Sequence, residues 1–203
     1  MPTLLSQITA LHDELTAGWH RDPLNCSGDG VQALVVEQHR QNFDLWHEED
    51  RARAPHASHE QIAEIKRSID VLNQKRNDLI EAIDRALMKE LQACGTQIGG
   101  GLHSETPGMM IDRLSILSLK IFHTREQIER TDATKEHVSK NRLRLDVLVQ
   151  QRKDLAECLD TLWKDAIAGR RHFKLYLQLK MYNDPELNPE IYRAKKGGTP
   201  EAE

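Results

Sequence analysis

Apolar residues recur along most of this chain at intervals of three and four, the period of a helix that buries one face. In residues 3–20, Leu4, Leu5, Ile8, Leu11, Leu15 and Trp19 keep that spacing. Pro23, Asn25, Ser27 and two glycines then break it, which predicts a loop from Arg21 to Gly30. A second helix is predicted from about Val31 to Ala54, ending before Pro55 because the residue preceding a proline is pushed out of helical dihedrals. Ser58 is placed to cap a third helix that reaches about Ala93. Glycines around Pro107 predict a mobile connection over 94–108, and the glycine trio at 99–101 follows no phosphate-loop pattern. A fourth helix covers Met109–Arg130. The fifth starts near Ala133 and runs to Ala168; Gly169 bends it, and the period resumes through Phe173 and Leu177 to Met181. The polar tail, 193–203, reads as disordered. The sum is an all-α fold: an elongated bundle of about five helices, several of them long, in one domain over residues 1–192.

Two of the inward stripes carry groups that resist burial. On the third helix, at about 100° per residue, Ile62, Ile65, Ile69, Leu72, Leu79, Ile83 and Leu87 share one face, and Arg76 falls near its middle. Lys66, Asp70, Asn73, Asn77 and Asp84 form a polar row along its edge. On the second helix Val35, His39, Asn42, Trp46, Glu49, Asp50 and Arg53 lie together, with Arg40, Asp44, Glu48 and Arg51 on the solvated side. An unpaired buried charge is prohibitively unfavourable, and bundle sites are built from side chains on facing helices. Each residue alone is explained by helix-flank salt bridges; two consecutive helices together suggest a polar cleft. Arg76 either pairs with Glu49 or Asp50 or clamps a phosphate or carboxylate through its fork. Arg152 on the fifth helix and Arg125 on the fourth repeat the situation, by convergence or as separate internal ion pairs.

Composition narrows the classes. Only 4% of residues are aromatic while 30% are charged, with the signs interleaved and a net charge of −4. No overall field therefore favours nucleic acid or an anionic membrane, and any anion site is local. No segment approaches the roughly 18 apolar residues of a membrane helix. Cys26, Cys94 and Cys158 are odd in number and far apart, so neither a disulfide framework nor a zinc knuckle is indicated. A cytoplasmic setting is the simplest expectation.

No metal site and no cofactor are assigned. Asp44 and His47 make a D-x-x-H step, but His47 points about 80° from His39 on the wheel, and His56, His59 and Glu60 sit at a helix start where capping and solvation explain them. Nucleophilic catalysis lacks a motif. Proton transfer has candidates in His39, Glu49 and Asp70, whose charged neighbours can shift their titration.

The runs Asn42-Phe43-Asp44-Leu45-Trp46-His47-Glu48-Glu49-Asp50-Arg51-Ala52-Arg53, Lys66-Arg67-Ser68-Ile69-Asp70 and Asn73-Gln74-Lys75-Arg76-Asn77-Asp78 resemble the bacterial domain-of-unknown-function family 4254. Leu119-Lys120-Ile121-Phe122-His123 and Lys180-Met181-Tyr182-Asn183-Asp184-Pro185 fit the same pattern. The resemblance covers nearly the whole chain and implies a mostly helical protein, with no reaction attached. Two functional expectations stand side by side. In one, an interhelical pocket takes a small anionic metabolite, with Asn42, Trp46, Arg53, Lys66, Asn73, Arg76, Asn77, Arg125 and Arg152 binding and His39, Glu49 and Asp70 available for catalysis. In the other, the polar rows set helix register in an interaction protein, and long seams pair it into a homodimer.

Overall fold

The computed structural model describes residues 4–22, 29–96, 99–181 and 184–195. The loop expected around Pro23 to Ser27, Tyr182 and Asn183, and the tail from 196 onward lie outside the described residues. Among the described residues there are six helices: α1 (Leu4–Arg21), α2 (Gly30–Ala52), α3 (His59–Ala93), α4 (Pro107–Glu129), α5 (Lys135–Ile167) and the short α6 (Pro189–Lys195). Two two-residue strands, β1 (Gly101–Leu102) and β2 (Arg171–His172), pair in parallel.

Local chemistry sets the helix starts. The Ser58 side chain accepts from the Gln61 N–H, and the Gln61 side chain accepts from the Ser58 N–H, a reciprocal capping box for α3. Thr106 and Thr134 cap α4 and α5 in the same way, each accepting from the amide three residues on. Pro107 fills the first turn of α4, where its missing N–H is no loss.

The fifth helix departs from expectation. It stops at Ile167, because Gly169 adopts φ +69, a left-handed conformation that ends a helix. The chain beyond pairs as β2 against β1, so Phe173 is buried from an extended segment, not from a helix. The connection over 94–108 is correspondingly tied down in part. His103 N–H donates to His172 O at 2.8 Å, and His172 Nδ1–H donates to Gly99 O.

α2 packs along α3 and α4 along α5, and α1 lies against α2, α4 and α5. The largest apolar cluster gathers Ile8, Val35, Ile83, Leu87, Ile111, Leu114, Leu159 and Leu162 from five helices. A second joins Leu15, Trp19, Val36, Phe43 and Leu119. Between them along α1, α2 and α4 sit buried polar residues: His12, Thr16, Gln38, His39, Asn42, Asp112 and Ser115. At the start of α4, buried Asp84 of α3 accepts from Thr106 Oγ1 at 2.5 Å and from the Gly108 N–H at 2.6 Å. Residue 108 must be small, since a Cβ there would stand 2.6 Å from Ile80 O.

Candidate functional site

The polar layer forms one chain of hydrogen bonds whose direction is fixed by its end. Thr16 Oγ1–H is committed to His12 O at 2.8 Å, so its oxygen accepts from His39 Nε2–H at 2.9 Å. His39 Nδ1 is then the bare nitrogen and accepts from Ser115 Oγ–H at 2.7 Å. Ser115 Oγ in turn accepts from Asn42 Nδ2, which also donates to Asp112 Oδ1, both at 2.9 Å. Gln38 Nε2 donates to the same carboxylate oxygen at 2.5 Å, and Arg76 Nε lies 3.4 Å from it. The network thus starts in the core at α1 and ends at a charged pair between α3 and α4.

Burial governs how these groups titrate. His39 is lowered to about 3 by burial, only partly opposed by a hydrogen bond to the His12 backbone. His12, stacked on it with ring centroids 4.5 Å apart, is held well below the usual imidazole range by burial and then by the His39 and Arg152 charges. Burial raises Asp112 above the ordinary carboxylate range, against the pull of Arg76, Asn42 and Gln38.

A cleft of about 380 Å³ opens where this network reaches the surface. Asn42, Trp46, Glu49 and Asp50 of α2 with Arg53 at its C-terminal cap line one side, Asn73 and Arg76 of α3 another, and Ile116 and Leu119 of α4 a third. Six residues singled out from the sequence therefore meet here: Asn42, Trp46, Glu49, Arg53, Asn73 and Arg76. Glu49 and Arg53 pair with each other at 2.5 Å across one helical turn.

The other expected site residues lie elsewhere. His39 faces Thr16 and Ser115 behind the cleft, and Glu49 and Asp50 stand about 15 Å further along the same helix. Asn77 is buried; Lys66 and Asp70 are exposed, each one step off the α3 face that buries Ile65 and Ile69. Arg125 is exposed as well, one step off the α4 face that buries Ile121 and Thr124. Arg152 pairs with Asp13 of α1 at 2.6 Å and approaches Ser118 Oγ at 3.4 Å. The three arginines thus make separate arrangements and do not converge. Arg76 itself pairs with Asp112, not with Glu49 or Asp50.

Residues missed from the sequence, His12, Thr16, Gln38, Asp112 and Ser115, supply most of the buried network. A signal existed for part of it. His12, Thr16 and His20 stand four apart on α1, and His39, Phe43 and His47 four apart on α2, each ladder lying along a buried stripe. Asp112 and Ser115 have only their place on an apolar helix to mark them. Among the described residues, His20, His47 and His123 are the group able to hold a metal ion, with one ring nitrogen from each within 4.8 Å of the others.

No curated protein and no solved structure matches the chain. The residues that line the cleft, and the α2 and α4 side chains of the network, fall instead within residues 32–175, which match the model of a protein family of unknown function, DUF4254, and the chain belongs to that family.

Proposed function

We propose that this protein binds a small anionic metabolite in the cleft between α2, α3 and α4, with Arg76 as the residue that recognises charge. The observation that carries the reading is the state of that arginine. Its contact with Asp112 is a single 3.4 Å approach at Nε, and Nε makes no hydrogen bond. A guanidinium has five donors in a planar fork, so most of its capacity is left for a solute. Asp112 is held from behind by Gln38 and Asn42, which lets it position the arginine. Arg53, paired with Glu49, stands at the rim, Asn42 and Asn73 offer amides for orientation, and Trp46 gives an apolar wall. Of the three proton-transfer candidates only Glu49 lines the cleft, so binding is the part of the expectation with geometric support.

A thermal-shift panel of sugar phosphates, nucleotides and di- and tricarboxylates tests this, because a solute that binds only the folded state raises Tm by mass action. The expected result is a class of anions that raises Tm for the wild type and leaves folded Arg76→Met unmoved. A panel without a hit, or shifts that persist in Arg76→Met, overturns the reading.

One observation favours an interaction role in parallel. Leu143 is 68% exposed and Val147 55%, four residues apart on one face of α5, an apolar strip suited to a second copy of this chain. Light scattering after size exclusion should then give a dimer that Leu143→Glu converts to monomer; a monomeric wild type removes the idea.

A further inference from the structure

Three histidines outside the polar layer, His20, His47 and His123, share a feature that ring packing alone does not require. His20 Nδ1 lies 2.7 Å from Thr16 O, and His47 Nδ1 lies 2.8 Å from Phe43 O. A carbonyl oxygen only accepts, so both rings carry their proton on Nδ1 and leave Nε2 as a bare lone pair. His123 Nδ1 meets Glu126 Oε2 at 2.7 Å, which fixes the same tautomer. The Nε2 atoms of His20 and His123 are buried with no hydrogen-bond partner. One ring nitrogen from each histidine lies within 4.8 Å of the other two.

The rings are also held in place. His20 stacks on Phe122 at 4.3 Å, Phe43 packs against His47 at 4.4 Å, and Trp46 lies parallel to His123 at 4.6 Å. Packing explains their planes. It does not explain why ring nitrogens from α1, α2 and α4 converge, with Nε2 of His20 and His123 giving up hydration without replacement. A cation answers all three at once. Nδ1–H donation to a carbonyl or carboxylate is the usual support of a metal-binding imidazole, because it fixes the tautomer and strengthens the donor nitrogen.

We propose that Nε2 of His20, His47 and His123 bind a first-row divalent cation of the Zn2+ type. Three neutral nitrogens with no thiolate suit zinc, cobalt or nickel better than calcium or magnesium, which prefer oxygen. At Zn–N distances of about 2.0–2.1 Å a tetrahedral ion draws the nitrogens to about 3.3 Å from one another. Three protein ligands leave a further position for solvent or substrate, the pattern of a catalytic site and not of a structural one. His123 also lines a second cleft, of about 560 Å³, with Lys120, Thr124, Gln127 and Arg144. This cleft and the one beside Arg76 share Trp46 and Asp50 as a common wall. The metal site goes beyond the anion reading and does not rest on it.

The test uses the untagged full chain, stripped by chelation and titrated with Zn2+ and Co2+. Expected are one equivalent bound, a rise in Tm on adding Zn2+, and the intense visible d–d bands of tetrahedral Co2+. His47→Gln and His123→Gln should each weaken Zn2+ binding at least a hundredfold, whereas His59→Gln, at an exposed helix start, should leave it unchanged. Absence of both the Tm rise and the Co2+ bands in the wild type overturns the site, whatever the variants do. So does binding that survives in both His47→Gln and His123→Gln, which would place the ion elsewhere. An anion hit with no metal binding would leave the cleft reading standing alone.

Discussion

Replacing Asp84 by Asn isolates a single buried carboxyl at the junction of α3 and α4. Burial raises this group from 3.8 to about 6, a shift that the hydrogen bonds from Thr106 and Gly108 reduce and the nearby Glu81 charge reinforces. The folded state therefore holds a proton that the unfolded chain has released between pH 6 and pH 4. Stability from this group is present at low pH and is lost as pH rises through 6. With those two values, acidifying from pH 7 to pH 5 favours folding by about 1.3 kcal/mol through Asp84 alone. Asparagine has nearly the same shape and no proton to take up. The quantity to measure is the stability of the wild type minus that of Asp84→Asn, from urea unfolding with linear extrapolation at pH 7 and pH 5. Both proteins carry the same histidines, so their large acid response cancels in the difference. The difference should shift in favour of the wild type by about 1.3 kcal/mol at pH 5. A constant difference, or a shift toward the asparagine variant, would mean that the helix N-terminus outweighs burial, and the account given of the α3–α4 junction would be wrong.

Three further outcomes follow from the same geometry. In the Asp84→Asn background, stability should fall between pH 7 and pH 5, because buried His39, lowered to about 3, stays neutral while the unfolded chain binds protons; that residue alone accounts for about 2 kcal/mol, His12 adds to the loss and Asp112 opposes it, and a flat profile would contradict the neutral pair. Gly108→Ala should lower stability by about 2 kcal/mol through overpacking against Ile80 O and the Asp84 carboxyl, although alanine gains roughly 1 kcal/mol in helix propensity; an unchanged urea midpoint would show that the two helices separate freely. Ser58→Ala should cost about 1 kcal/mol by removing half of the capping box, and the fraying should appear as faster amide exchange confined to the first turn of α3.

The helices were legible because their signals are local. A 3.6-residue period, the Ser58 cap and the proline at 55 act within a few positions, and they set the boundaries of α1 to α4 to within a few residues, although Pro107, read as part of the connection, is the first residue of α4. Gly169 misled because a glycine in a helical pattern can bend or end it, and the deciding factor was a pairing partner far away at Gly101. The site divided along the same line. That Asn42, Trp46, Glu49 and Arg53 share a stripe is a property of one helix and was visible. That Arg76 meets Asp112, or His39 meets Ser115, depends on which helix packs where, and the period of one helix says nothing of that. Arg125 shows the limit of the wheel itself: a residue one step off the apolar face of α4 passed for inward and is in water.

The small β1–β2 clip bears on how the chain is made. His172 reaches back to Gly99 across 73 positions of sequence, so the glycine end of the turn joining α3 to α4 lacks this fastener until α5 has been synthesised to its end, while Asp84 already holds the other end through Thr106 and Gly108. A ribosome that delivers the chain in order leaves that stretch unclipped through the whole making of α4 and α5. A piece of polypeptide that emerges only after them is the one that latches the middle.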